Sequence, residues 1–457
     1  MDLLHDCKRF FFIGVGGAGM SAIAQYLSGN GYEVKGSDRL FSDSANAGIQ
    51  HQLEAARIQC FQQDGTGLDN LVDVVIVSTA IEDTNMEVKK AREHNIPIVL
   101  RADLLAAICQ SKRTIAIAGT SGKSTVTAML FHILYTHGLS PSLITGAGLV
   151  SLQKEGLIGN AYCGKSDWLL IEADESDGTL VKYKPEIGIL LSIDKDHKEL
   201  HELEEIFAIF KGNTQKQFIV NQSHALASRF SADKKLDFGE GTRWAATDFY
   251  QDKFTIHFQV QDVTVEIPTI GYHNVENALA CMAAADVLGL SVQDCAKALV
   301  SYAGIYRRHQ RLGCAKGITV IDDYAHNPAK IAASILACQP VAPKLVAWFQ
   351  PHGFGPTRFI RKELVEEISR VLRPNDEIWM SEIYYAGGTA VKDISSADLI
   401  HDLQAKGVKA FFVADRMDLF RELIPTLQQE TVLLLMGARD PGLETLAAHV
   451  WQMLSEQ

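Results

Sequence analysis

The chain has 457 residues, 47% hydrophobic and 21% charged, which suits a globular protein of two to four domains rather than one. Its formal charge of −12 argues against a duplex nucleic-acid binder, which needs a basic face to displace counterions. No apolar run approaches the roughly 20 residues of a membrane span, and "MDLLHDCKRFFFIGVGG" enters a strand with no room for a signal peptide, so neither nucleic acid nor membrane is an expected partner. The eight cysteines (7, 60, 109, 163, 281, 295, 314 and 338) are scattered without metal-type spacing and sit mostly among apolar neighbours. Reduced thiols in the cytoplasm are the expectation.

Residues 1–109 alternate strand and helix signals. "RFFFIGVGG" and "DVVIVSTAI" read as buried parallel strands, and "MSAIAQYLSGNG" as a helix with a glycine stop. Gly14, Gly16 and Gly19 follow the first strand, and Asp38 closes the next one in "YEVKGSD". On its own this turn fits NAD, the pyrophosphate of a UDP-sugar, or close helix–strand packing alone.

Residues 110–308 open on "TIAIAGTSGKST". Gly119 and Gly122 permit a tight turn whose N–H groups approach an anion, and the following helix adds its partial positive charge. Lys123 would reach the terminal phosphates, and Ser124 or Thr125 could bind Mg²⁺. The glycine expected five positions before Gly122 is Ile117 here. "LLIEADESDG" then sets Glu172, Asp174, Glu175 and Asp177 just past a buried strand, and "LLSIDKDHKEL" places Asp196 and His197 after another. Such a pair of loops suits a mixed carboxylate and imidazole site for Mg²⁺ that also accepts Mn²⁺; the alternative is an acidic, solvated surface. A β-rich stretch around 252–270 and the helical "HNVENALACMAAADVLG" complete the segment.

Residues 309–457 run through the strands "GITVIDDYAH", "KLVAWFQPH", "DEIWMSEI", "KAFFVAD" and "TVLLLMGA", most followed by a helix. All three segments read as α/β with mostly parallel sheets: a Rossmann-like N-terminal domain, a P-loop-type central domain and a Rossmann-like C-terminal domain.

In order along the chain, "GVGGAGMSAIA", "GSD", "VVIVSTAI", "RADLLA", "AGTSGKST", "EADESDG", "DHKEL", "GYHNVENALA", "RRHQRLG", "DDYAHNP", "FQPH" and "LLLMGARDPG" resemble the Mur ligases. These are the ATP-dependent amide-forming enzymes of peptidoglycan assembly. The resemblance implies that Gly14, Gly16, Gly17, Gly19, Asp38, the turn Ser78-Thr79-Ala80 and Asn160 serve the UDP-sugar, UDP-N-acetylmuramate. It implies that Gly119, Thr120, Ser121, Gly122, Lys123, Ser124 and Thr125, with Asn274, Asn277, Arg308 and Asp323, serve ATP. Metal falls to Ser124, Glu172 and His197, joined by Lys211 if that lysine is carbamylated; the alternative for Lys211 is a solvated helix lysine. The catalytic set is Lys123, Glu172, His197, Arg308 and Asp323, and the incoming amino acid, L-alanine in the most similar branch, falls to His326, His352 and Arg358.

The chain departs from the family pattern at Ser121, where histidine is usual, at Asn327, where a second histidine is usual, and at Glu199, where aspartate is usual. It also has "FQPHGFGPTRF" where the family has arginine directly after the histidine, a change that removes a bidentate partner and opens space. Three alternatives stay open: an acceptor other than L-alanine, including a preformed peptide; a catalytically silent relative that binds UDP-sugar and ATP; and a nicotinamide-dependent oxidoreductase. The last leaves the phosphate loop and the acidic loops without a task.

Overall fold

The apolar run Arg9–Ile13 (β1) is buried on both faces, as a central parallel strand requires. It pairs with Glu33–Asp38 (β2) on one side and Val74–Val77 (β4) on the other; Ile58–Gln62 (β3) and Ile98–Leu100 (β5) close the sheet in the order β3-β2-β1-β4-β5, all parallel. The computed structural model describes residues 2–42, 47–175, 178–194, 199–385, 387 and 391–456. In this sheet the strand order reverses between β1 and β4, so the turns after those two strands flank the crevice where such sheets bind ligands.

The second sheet contains Arg113–Ala118 (β6), Ser142–Ile144 (β7), Ala161–Tyr162 (β8), Trp168–Ala173 (β9), Ile187–Leu190 (β10) and Gln217–Val220 (β11), in the order β11-β10-β6-β9-β7-β8. Only β8 runs antiparallel. Its central trio, β10-β6-β9, ends at three loops that share one edge: 119–125, 172–175 and 191–194. That adjacency builds the site described below. Phe10, Phe12, Ile23 and Leu27 from the first sheet's layer join Leu169, Ile171 and Phe207 from the second in one buried cluster.

Three further strands, Thr247–Asp252 (β12), Thr255–Val260 (β13) and Val263–Ile267 (β14), pair in chain order. The last sheet holds Gln310–Ala315 (β15), Ile318–Asp323 (β16), Lys344–Gln350 (β17), Glu377–Met380 (β18), Ala410–Phe412 (β19) and Thr431–Gly437 (β20), ordered β15-β16-β20-β17-β18-β19. Here the antiparallel strand is β15. Apolar layers cover both faces, one built on Ile331, Ile335 and Leu364, the other on Leu419, Phe420 and Leu446.

The chain divides into two compact units. One comprises Met1–Asp248, Phe258–Glu266 and Val275–Ile305; the other comprises Phe249–His257, Ile267–Asn274 and Tyr306–Gln457. The first two sheets therefore belong to one unit. The longest stretch of the second unit is Tyr306–Gln457, and the unit also takes in parts of the β-rich stretch. None of the eight cysteines is joined in a disulfide. Among the described residues no helix is long and apolar enough to cross a membrane.

Candidate active site

The glycine loop leaves β6 at Ala118 and enters the helix Lys123–Thr136. Two glycines make the path feasible. Gly119 has φ +137° and lies so close to the next strand's exit that a Cβ would stand 2.9 Å from the Ser192 backbone nitrogen. Gly122 has φ +86°, and a Cβ there would stand 2.8 Å from Oδ1 of Asn277. Thr120 is buried and stitches the loop to the β10 exit: its N–H donates to the Ser192 carbonyl (3.1 Å) and its hydroxyl to Asp194 (3.0 Å). The Ser121 N–H donates to the Ser192 hydroxyl (3.0 Å). His224, 3.2 Å away, hydrogen-bonds Asp194 and holds its carboxyl below the ordinary value. Ser121 itself is exposed, and Thr125 lies in the first turn of the helix.

Lys123 turns back over the loop. Its Nζ donates to the Gly119 carbonyl (2.8 Å) and to Glu175 (2.7 Å), with Asp174 at 3.7 Å. Burial works against its charge, but Glu175, Asp174 and Glu172 outweigh that and raise its pKa above the ordinary lysine value. Beside it the Ser124 hydroxyl donates to Oε2 of Glu172 (3.0 Å). The other carboxylate oxygen, Oε1, accepts from the Thr145 hydroxyl and from the Gly146 N–H (3.1 Å). The Ser124 hydroxyl and the Glu172 carboxylate thus put oxygen donors side by side at the glycine loop, the donor chemistry that Mg²⁺ prefers. Among the described residues no group of three or more His, Cys, Asp or Glu is placed to hold a metal. His197, Asp196 and Asp177 lie outside the described residues.

Lys211 lies in the last turn of the helix Leu200–Asn213 and donates to the Ser231 carbonyl (3.5 Å); among the described residues no hydrogen bond links it to Glu172 or Ser124. Asn277 reaches the loop at Gly122. Asn274 belongs to the second unit, where its amide donates to the Ile270 carbonyl (2.8 Å) and the Thr269 hydroxyl (3.1 Å).

In the first sheet, Gly14 (φ +82°) begins the turn after β1, and Gly17 caps the helix Ala18–Gly29. The Gly16 N–H donates to Asp38 (2.9 Å), whose other oxygen accepts from Leu40 (3.0 Å), so Asp38 braces the glycine turn. Gly19 lies against Arg101, whose Nη1 would stand 3.0 Å from a Cβ. Ser78, Thr79 and Ala80 turn immediately after β4, with Thr79 and Ala80 exposed. Asn160 is placed differently from an open ligand contact. It is buried, its Oδ1 accepts from Gln25 (2.8 Å), and its Nδ2 donates to the Ala18 carbonyl (2.8 Å) and the Ser21 hydroxyl (2.9 Å). Its side chain ties the second sheet to the first turns of that helix.

In the second unit, Arg308 is exposed beside the Tyr324 ring, its Cζ 5.4 Å from the centroid. Asp323 is buried, and both its oxygens accept backbone N–H groups, from His309 and from Ala325 (2.7 Å each). His326 and His352 are neighbours, ring centroids 5.9 Å apart. Burial lowers His326 to about 4 and also lowers His352, so both imidazoles are neutral at pH 7. The Nδ1 of His352 is buried with no hydrogen-bond partner among the described residues. Arg358 is paired with Asp393 and donates to the Val391 carbonyl (3.3 Å). The sequence alone assigns no role to Thr145, Ser192, Asp194, Arg307 or Tyr324; the last two lie inside "RRHQRLG" and "DDYAHNP", but only the fold shows what their side chains touch.

Three family models match the chain: "Mur ligase family, catalytic domain" over residues 9–113, "Mur ligase middle domain" over 117–285, and "Mur ligase, glutamate ligase domain" over 307–439. A UDP-N-acetylmuramate–L-alanine ligase of Mesorhizobium japonicum is 34% identical over 428 residues, 87% of each chain. One of Nitrosomonas eutropha is 32% identical over 475 positions, 96% of each. Among solved structures, the UDP-N-acetylmuramate–alanine ligase MurC of Thermotoga maritima superposes with a TM-score of 0.80 at 25% identity, covering 97% of this chain and 98% of that one. A murein peptide ligase of Psychrobacter arcticus shares the fold, with a TM-score of 0.68 at 20% identity over 98% and 99% of the two chains.

Proposed function

The chain belongs to the Mur ligase family, and from that premise we propose that it is a cytoplasmic ATP-dependent ligase joining L-alanine to UDP-N-acetylmuramate. The observation that carries this reading is the loop Gly119–Thr125 with Lys123 held charged and Ser124 against Glu172. The relatives, named UDP-N-acetylmuramate–L-alanine ligases, supply the identity of the substrates.

A carboxylate is a poor acyl donor because its leaving group would be hydroxide. Transfer of the γ-phosphoryl group of ATP to the lactyl carboxylate gives ADP and an acyl phosphate. The neutral amine of L-alanine then adds to the acyl carbon, and the tetrahedral intermediate expels phosphate as the amide forms and the amine proton departs. The first step brings two anions together, so cations must lie between them.

Lys123 supplies one charge by exchanging its contact with Glu175 for a phosphate oxygen, and Arg308 supplies the other. The loop N–H groups and the start of the helix Lys123–Thr136 bind the phosphates. Ser124 and Glu172 are the described residues that would hold Mg²⁺, which when bound screens the phosphate charge. The glycine turn after β1 and the turn at Ser78 bind the UDP moiety, and Asp38 holds the first of them in shape. His326 and His352, neutral and adjacent, face the acceptor. A larger acceptor is the second reading: Arg358 is already paired with Asp393, and a cavity of about 760 Å³ is lined by Phe354, Tyr385 and Lys392 directly after Gly353. The test is phosphate release that requires ATP, UDP-N-acetylmuramate and an acceptor together, with L-alanine compared against peptides.

A further inference from the structure

Arg308 stands between two non-glycine residues with left-handed backbone, Arg307 at φ 54° and His309 at φ 45°. Each such residue costs on the order of 1 kcal/mol or more and persists only where its surroundings over-determine it. Here the surroundings are explicit, and all lie in the second unit. The Arg307 guanidinium is buried on Asp322, Nε to Oδ2 at 2.9 Å and Nη2 to Oδ1 at 3.3 Å, and Nη2 also donates to the Gly437 carbonyl (3.0 Å). The Arg307 N–H donates to the side chain of Gln310 (2.9 Å), and its carbonyl accepts from the Tyr324 N–H (2.8 Å). On the far side the His309 N–H donates to Asp323 (2.7 Å).

The Tyr324 ring lies beside both arginines, 5.5 Å from Cζ of Arg307 and 5.4 Å from Cζ of Arg308. Arg307 is thus locked inward, and Arg308 points outward with no ion pair among the described residues. Desolvating an arginine–aspartate pair rarely adds stability over an apolar pair of similar size. What it adds at this point of the chain is direction.

We propose that Arg307 and Tyr324 are positioning residues that hold the guanidinium of Arg308 in the orientation needed to meet the transferring phosphoryl group, so that their influence on turnover passes through Arg308. The inference rests on the ligase reading above. Its test is a set of double-mutant cycles on the full chain: Arg307→Gln, Tyr324→Leu and Tyr324→Phe, each in the wild-type and in the Arg308→Ala background, with kcat, both substrate KM values and the thermal midpoint measured.

Arg307→Gln is expected to lower kcat about tenfold while the KM values for ATP and UDP-N-acetylmuramate change less than about twofold. In the Arg308→Ala background the same substitution is expected to change kcat less than about twofold, because the group it positions has gone. Tyr324→Phe keeps the ring and is expected to retain wild-type kcat; Tyr324→Leu is expected to lose about fivefold. If Arg307→Gln does not fold, the two Tyr324 variants run the same cycle. Equal losses in both backgrounds, or full kcat in Arg307→Gln, overturn the proposal alone. A wild-type protein that releases no phosphate with any acceptor overturns the ligase reading and this proposal with it.

Discussion

The Ser124 hydroxyl donates to the Glu172 carboxylate across 3.0 Å, although the two residues are 48 positions apart and leave different strands. Parallel pairing of β6 with β9 aligns Ile117 with Glu172, so the loop after β6 rises directly over that carboxylate. Glu172→Gln keeps the shape and removes the charge. Its turnover is expected to fall by about 10²-fold or more, with saturation by Mg²⁺ displaced to higher concentration. Steady-state rates over a Mg²⁺ series check this, and an unchanged Mg²⁺ dependence would remove Glu172 from the metal-binding set.

Lys123 and Glu175 form a pair with side chains 14% and 5% exposed, so removing one partner strands the other. Lys123→Met is expected to abolish measurable turnover and to cost about 3 kcal/mol of stability, because the Glu175 carboxylate is left buried and unpaired. The double variant Lys123→Met with Glu175→Gln is expected to recover most of that stability and none of the turnover. Urea unfolding and phosphate release on the two variants separate the roles. Stability lost equally in both would show that the pair is not what holds Glu175.

Thr145 is buried, and its hydroxyl donates to Oε1 of Glu172, while its own N–H donates to the Asn160 carbonyl (3.0 Å). Thr145→Val conserves volume and removes one donor from the carboxylate; Thr145→Ser keeps it. Turnover is expected to fall about tenfold in the valine variant and to stay near wild type in the serine variant. Equal activity in the two would mean that the Gly146 N–H alone suffices to orient Glu172.

Much of this architecture could be read from local patterns. The buried runs at 9–13, 113–118, 168–173 and 431–437 announce parallel strands, and the glycine–lysine–serine stretch announces the tight turn into the helix Lys123–Thr136. What depends on strand order could not be read that way. Ser192 and Asp194 reach the loop through β10 and Thr145 reaches Glu172 through β7, and no spacing within 119–125 points to them. The Asn160 side chain, just before β8, is hydrogen-bonded to the helix Ala18–Gly29, a placement that no local spacing announces. Arg358, expected to meet an acceptor carboxylate, is paired with Asp393, 35 residues further on. Segments 249–257 and 267–274 join the second unit although their neighbours in sequence join the first.

Asn160 therefore leads to a prediction of its own. Replacing it with leucine removes three side-chain hydrogen bonds to the helix that carries the glycine turn. A loss of about 1–3 kcal/mol in stability is expected, with KM for UDP-N-acetylmuramate raised and KM for ATP little changed. Unfolding and substrate titrations measure both effects. A rise confined to the ATP constant would contradict the assignment of that helix to the UDP-sugar.

Glu186 directly precedes β10 and accepts from Arg113 (2.7 and 3.1 Å) and from Lys216 (2.9 Å); these bonds hold its carboxyl down at about 2. Because the folded value lies below the unfolded one, its contribution is complete above about pH 4.5 and is lost as pH falls toward 2. Both cations are half exposed, so the contribution is about 1 kcal/mol at most. Glu186→Gln is expected to be less stable than wild type at pH 7, with the difference shrinking below pH 4. A difference that stayed constant from pH 7 to pH 3 would contradict the ion-pair account.

The most direct measurement is phosphate release from ATP by the purified full chain with Mg²⁺, UDP-N-acetylmuramate and L-alanine, each omitted in turn. Release that needs all of them, with ADP and the amide formed in equal amounts, is the predicted result. Tight binding of ATP and UDP-N-acetylmuramate with no phosphate released for L-alanine, any other amino acid or a peptide would contradict it.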